Sequence, residues 1–175
     1  MTEIFDTHCH LFMEPLSIEP EAVASRAAGA GVTRILVPAV SRKSWDQCGA
    51  LRGIPGVSIA LGVHPWWAGE GIDPALLRES ILSLGACAIG EVGLDWKCDT
   101  PVERQLSVLE SQLILAGEMD IPVILHCRGA FQELLEMLTL HPVRGTIHAW
   151  SRHPALMERF LSLGLHISFG GAVTR

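Results

Sequence analysis

Ile4-Phe5-Asp6-Thr7-His8-Cys9-His10 reads as a short strand that runs out into a pair of imidazoles. Successive side chains of a strand alternate faces, so Asp6, His8 and His10 share one face and the two rings stand side by side at the strand's end. Two neutral imidazoles so placed can hold a divalent cation. A solvated histidine beside a hydrogen-bonded core histidine gives the same pattern over this stretch, so the remainder of the chain has to separate the two.

Working outward, the same kind of short β-branched or apolar run recurs at Thr33 to Val37, Val57 to Leu61, Cys87 to Glu91, Val123 to Cys127, Thr146 to His148 and Leu165 to Phe169. With Ile4-Phe5-Asp6 this makes seven strands. Helical patterns lie between them. Glu19-Pro20, Asp73-Pro74 and Thr100-Pro101 each put proline at a first helical position, and Thr100 with Glu103 matches a capping box. Phe131, Leu134, Leu135 and Leu138 form a one-face stripe, as do Leu106, Leu109 and Leu113. Leu156, Phe160 and Leu163 repeat it, with Gly164 as the stop, and Ser44 to Leu51 is a weaker helix.

Sustained strand-helix alternation predicts an α/β fold with a parallel sheet covered by helices. No Gly-x-Gly-x-x-Gly follows the first strand, which leaves the dinucleotide-binding arrangement without support and makes the barrel the better reading. The polar residues support it. His8 and His10 follow strand one, His64 ends strand three, Glu91 strand four, His126 strand five and His148 strand six. All fall at carboxyl ends, the rim where barrel active sites assemble, and a joint metal site explains them better than separate accidents do.

Composition bounds the possibilities. At 175 residues, 49% hydrophobic and 18% charged, the chain is expected to be one domain over 1–175. No apolar run reaches a membrane span and Thr2, Glu3 and Asp6 do not form a basic leader, so a cytoplasmic protein is expected. Five cysteines, Cys9, Cys48, Cys87, Cys98 and Cys127, without a Cys-x-x-Cys pair, read as reduced thiols. A net charge of −6 argues against a broad nucleic-acid-binding surface but leaves room for a local phosphate pocket.

Asp6-Thr7-His8-Cys9-His10, Gly62-Val63-His64-Pro65, Gly90-Glu91-Val92-Gly93-Leu94-Asp95, Pro122-Val123-Ile124-Leu125-His126-Cys127-Arg128 and Thr146-Ile147-His148 together resemble, in order, the motifs of the TatD family of metal-dependent deoxyribonucleases. The resemblance implies a TIM-type barrel of the amidohydrolase kind and a DNase, often one that trims from the 3′ end. It implies a binuclear centre, with His8, His10 and Glu91 around one ion and Glu91 bridging to a second held by His126 and His148, and it makes Glu91 the catalytic carboxylate. It also implies a further metal-binding Asp after an eighth strand, and no such motif stands in the stretch Phe169 to Arg175. About seven βα units are therefore expected to form a barrel incomplete or open at its C-terminal end, with strands one and seven unpaired at their edges. A truncated form of a longer protein is the favoured explanation, beside a naturally short relative or a second chain or oligomer that completes the sheet. Loss of that Asp predicts weak activity or none.

Imidazole-rich ligand sets favour zinc or manganese, with cobalt or iron also suited and magnesium possible. Arg42, Lys43, Lys97, Arg128 and Arg152 follow strand ends, and Arg128 shares a strand face with His126, so it can hold a phosphate. His64 and the loop with Ser151 and His153 are further candidates for substrate contact, and Trp66, Trp67, Trp96 and Trp150 could stack a base or simply pack under loops. His141 and His166 lie away from the rim and receive no role. The same centre could serve a hydrolase of an ester, lactone or amide, and a third reading is an inactive remnant or partner-binding component.

Overall fold

The computed structural model describes residues 3–171. The sequence readings at Thr2 and at the closing Ala172 to Arg175 lie outside the described residues.

The strands are β1 (Ile4–Asp6), β2 (Val32–Pro38), β3 (Val57–Leu61), β4 (Ala88–Asp95), β5 (Val123–Arg128), β6 (Gly145–Ile147) and β7 (His166–Ile167). They pair in sequence order, every pair parallel, as a curled half-barrel. Helices α1 (Pro20–Gly29), α2 (Arg42–Ala50), α3 (Pro74–Leu84), α4 (Val102–Met119), α5 (Phe131–Leu140) and α6 (Pro154–Leu161) provide the crossovers. No described helix is long and apolar enough to cross a membrane.

Alternation along the strands creates two apolar layers. Ile35, Val37, Ile59, Leu61, Ile89, Val123 and Leu125 join the large cluster shared with helix residues such as Leu77, Leu113 and Leu134. Leu36, Ala60, Ala88 and Ile124, the residues of opposite parity, form a separate small cluster on the concave face. Phe160 of α6 is fully buried and meets Trp150 and Phe131 edge-on.

Among the described residues β1 pairs only with β2 and β7 only with β6, so both edges are open as expected. Between them lies a cleft of about 750 Å³ bordered by Ile4, Phe5, His8, His148 and Phe169. Ile4 is 50% exposed and Phe5 40%, although they occupy the start of a barrel strand.

Several boundaries differ from the sequence expectation. β4 continues past Glu91 to Asp95, so Glu91 stands inside the strand and not at its end. His64 lies beyond β3, where it precedes a 3-10 turn over Pro65–Glu70. The Thr100-Glu103 capping box does not form: α4 starts at Val102, the Thr100 hydroxyl donates to the Trp66 carbonyl, and the Thr100 carbonyl accepts from Gln105. Ser41 and Ser44 build the capping box instead, which starts α2 at Arg42 and puts Arg42 and Lys43 in its first turn. β7 shortens to two residues because nothing pairs with its outer edge among the described residues.

Candidate metal centre

Glu91 is 2% exposed and faces five imidazoles. A strict alternation from Ala88 and Ile89 would point it outward to the helices. The β4–β5 register instead pairs Gly90 with Ile124 and Val92 with Leu125, leaving Glu91 as an extra residue. This local bulge restores Val92 and Leu94 to the outer layer and turns Glu91 to the concave side, where Gly93 and Asp95 follow it.

Its two oxygens serve different groups. Oε2 lies 3.2 Å from both His8 Nε2 and His10 Nε2, which are 3.1 Å from each other. Oε1 lies 2.8 Å from His148 Nε2 and 3.1 Å from His126 Nδ1, themselves 3.2 Å apart. Ligand atoms about 2.0–2.1 Å from a tetrahedral zinc are separated by roughly 3.3 Å, so each triangle has the size of one face of such a coordination shell. The donor atoms thus fit a divalent transition-type ion. His64, Glu91 and His126 also bring one ligand atom each within 4.8 Å of one another, so a third grouping competes geometrically for the second position.

Backbone and buried amides hold these side chains. His10 Nδ1 is 3.1 Å from the Pro38 carbonyl, which can only accept, so the proton sits on Nδ1 and Nε2 presents its lone pair to the cluster. His8 stacks on His148 at 3.8 Å, and its own Nδ1 is buried with no hydrogen-bond partner among the described residues. From α4, Gln112 accepts from the Val63 N–H and donates to its carbonyl, fixing the backbone just before His64. Gln105, seven positions earlier on the same helix face, does the same at Asp95. Gly93 has φ +143, and any Cβ there would meet the His126 carbonyl, so glycine permits the close approach of β4 and β5 that sets His126 beside Glu91.

Burial alone would raise the Glu91 carboxyl, but the surrounding rings of His10, His126, His148 and His64 hold it well below the usual carboxylate range. Burial pushes His8 and His64 below the ordinary 6.5 against the opposing pull of Glu91, which favours the neutral imidazole a ligand needs. Burial also depresses His126, yet Glu91 and Asp95 together outweigh it and raise the group.

Around this centre, Arg128 and Arg152 line a pocket of about 270 Å³ together with His126, His148 and Trp150. The Arg152 guanidinium lies over the Phe131 ring at 5.2 Å. Lys97 directs its backbone N–H to Asp95. Arg42 lines a different groove, between α2 and the turn before α3. His153 caps α6, its Nδ1 accepting from the Ala155 N–H, and it is not brought to the cluster. Trp150 is buried, with its indole N–H on the Arg152 carbonyl, so it packs and does not offer a stacking face. Trp66 remains 54% exposed at the rim; Trp67 and Trp96 pack against the core. His141 pairs with Glu110 on the surface, and all five cysteines are free. The residue the sequence reading passed over is Asp95, fully buried, with one oxygen on the Trp66 indole N–H and on His126 Nε2. Its signal was present: it falls four residues after Glu91 in the same glycine-punctuated strand.

The model of a family described as TatD related DNase matches residues 5–175. A protein of Escherichia coli K12 named as the metal-dependent hydrolase YjjV is 39% identical over 97% of this chain and 68% of its own length. One of Erwinia billingiae, named 3′-5′ ssDNA/RNA exonuclease TatD, is 33% identical over 97% of this chain and 68% of its own. The crystal structure of the E. coli YjjV TatD homologue superposes with a TM-score of 0.87 at 36% identity, covering 98% of this chain and 70% of that one.

Proposed function

The chain belongs to the family of TatD-related DNases, whose relatives are metal-dependent hydrolases, and from that premise we propose that it is a phosphodiesterase acting on DNA from the 3′ end through a binuclear centre. The observation that carries this reading is the division of the single carboxylate of Glu91 between two histidine pairs, His8 with His10 and His126 with His148. These five residues would hold two divalent ions, zinc or manganese by the preference of imidazole and carboxylate ligands. Such ions lower the pKa of a water and polarise a phosphoryl oxygen.

Every other task falls to the chain. Glu91, ionised and buried, supplies negative charge to both positions at once. His10 keeps its ring turned by the Pro38 carbonyl, and the low basicity of His8 leaves it neutral at neutral pH. Arg128 and Arg152, on the pocket wall with His126 and His148, would take non-bridging oxygens of the scissile or neighbouring phosphate. His64 would donate to the same group. His153 would contact only a strand that extends past α6. The pair of arginines favours a phosphodiester over an uncharged ester, lactone or amide. The Erwinia relative's named activity belongs to the same substrate class.

Single-stranded DNA labelled at its 5′ end and offered with manganese or zinc is expected to shorten stepwise, to stop shortening with a chelator, and to persist with Glu91→Gln. Two bound ions with turnover of a lactone or amide and none of DNA would overturn the substrate. A metal-free chain that forms a stable complex with another protein would favour the partner-binding reading.

A further inference from the structure

Two groupings compete for the second ion: Glu91 and His126 are common to both, and either His64 or His148 completes the set. Hydrogen bonds outside the cluster discriminate between them. The Trp66 backbone N–H donates to His64 Nδ1 at 3.2 Å. An imidazole nitrogen that accepts a hydrogen bond carries no proton, so neutral His64 keeps its proton on Nε2, the atom facing Glu91 Oε1 at 3.4 Å. A protonated nitrogen is a donor and has no lone pair for an ion. On the opposite side, Asp95 Oδ2 accepts the Trp66 indole N–H at 2.8 Å and lies 3.2 Å from His126 Nε2. A carboxylate only accepts, so His126 carries its proton on Nε2 and exposes the Nδ1 lone pair toward Glu91 and His148.

Both constraints meet in one residue. Trp66 uses its main chain on His64 and its side chain on Asp95, while its carbonyl is held by Thr100 and Asp95 by Lys97 and Gln105. We propose that Trp66 and Asp95 form a clamp that sets these two imidazoles in opposite roles: Asp95 is a positioning residue that keeps His126 a ligand through Nδ1, and Trp66 keeps His64 a hydrogen-bond donor outside the coordination shell. This rests on reading the cluster as a metal centre. It accounts for why His148, and not His64, is the third group at the second position in the reading above, and leaves His64 Nε2–H free to donate to Glu91 or to a substrate oxygen.

Asp95→Asn is the informative change because it conserves shape. The Lys97 N–H needs an acceptor at Oδ1, so the amide NH₂ takes the Oδ2 position and faces two donors. His126 relieves its share by moving its proton to Nδ1, which costs it the lone pair. The zinc-loaded protein with ¹⁵N-labelled histidine, observed through long-range ¹H–¹⁵N correlations, should show His126 protonated on Nε2 and metal-shifted on Nδ1, and His64 protonated on Nε2 with an unbound Nδ1. In a zinc titration, Asp95→Asn should weaken the second equivalent by about 10–100-fold and leave the first, at His8 and His10, within about twofold. The wild-type spectrum stands whether or not the variant folds. A metal-shifted His64, His126 bound through Nε2, or equal loss of both equivalents in Asp95→Asn would overturn the clamp while leaving the metal centre intact. Failure of the wild type to take up zinc would overturn both.

Discussion

On the proposed reading one carboxylate is shared by two ions, which would make Glu91 different in kind from any histidine around it, and metal-induced stabilisation measures that difference. Each ion bound only by the folded chain contributes about 2.7 kcal/mol when free metal is 100-fold above its dissociation constant, so two contribute roughly 5 kcal/mol. For a domain of this size 1 kcal/mol shifts Tm by about 2–4 °C, giving a rise of about 10–20 °C for the wild type on metal addition. His148→Ala removes one nitrogen 2.8 Å from Oε1 and leaves the Oε2 side with both of its imidazoles, so roughly half the rise should remain. Glu91→Gln places a neutral amide against both pairs and should reduce the rise to about a quarter or less of the wild-type value. Differential scanning fluorimetry of chelated and zinc-loaded samples of the three proteins reads this directly. A Glu91→Gln protein that retains half or more of the wild-type rise would show that the two positions do not depend on a common carboxylate.

Three further outcomes are expected. Gly93→Ala forces a side chain at φ +143 into the His126 carbonyl and should cost about 3 kcal/mol, lowering Tm by roughly 6–12 °C in the chelated protein. Arg152→Ala and Arg128→Ala should each raise KM for single-stranded DNA roughly three- to tenfold with kcat little changed; Arg152→Lys should not restore it, because an ammonium lacks the planar face now over Phe131. The metal-free protein should lose stability as pH falls. Above 6.5 His8 and His64 are neutral folded or unfolded and contribute nothing; below it the unfolded chain takes up protons that the folded chain refuses. Glu91 and Asp95, held below 4.5 and 3.8, contribute fully above those values and lose that contribution at more acid pH, whereas His126, raised, opposes the histidine trend. His8→Asn should therefore flatten the decline in Tm just below pH 6.5, and an unchanged slope would refute the assignment.

The half-barrel was legible because each βα unit carries its own local signal. β1 and β3 appear where their apolar runs stand, and Asp73-Pro74 starts α3 with Asp73 capping it. The open edges of β1 and β7 follow from counting strands. Glu91 stood out in the sequence as a candidate although its setting did not: alternation would turn it outward, and only the slipped register between Gly90 and Val92 brings it in, a choice made by pairing with β5 that no local pattern records. His64 illustrates the converse. The backbone just before it, at Val63, is held by Gln112, 49 residues further along the sequence, so periodicity could not distinguish a strand end from a turn. Asp95 escaped notice because its partners, Trp66 and His126, lie 29 and 31 residues away. Trp150 looked like a rim aromatic until Phe131 and Phe160 enclosed it.

Anomalous diffraction from crystals of the zinc-loaded chain tests the centre most directly. The account predicts two peaks, one contacted by His8, His10 and Glu91 and the other by Glu91, His126 and His148. A single peak, or a pair in which Glu91 contacts only one ion, would contradict it.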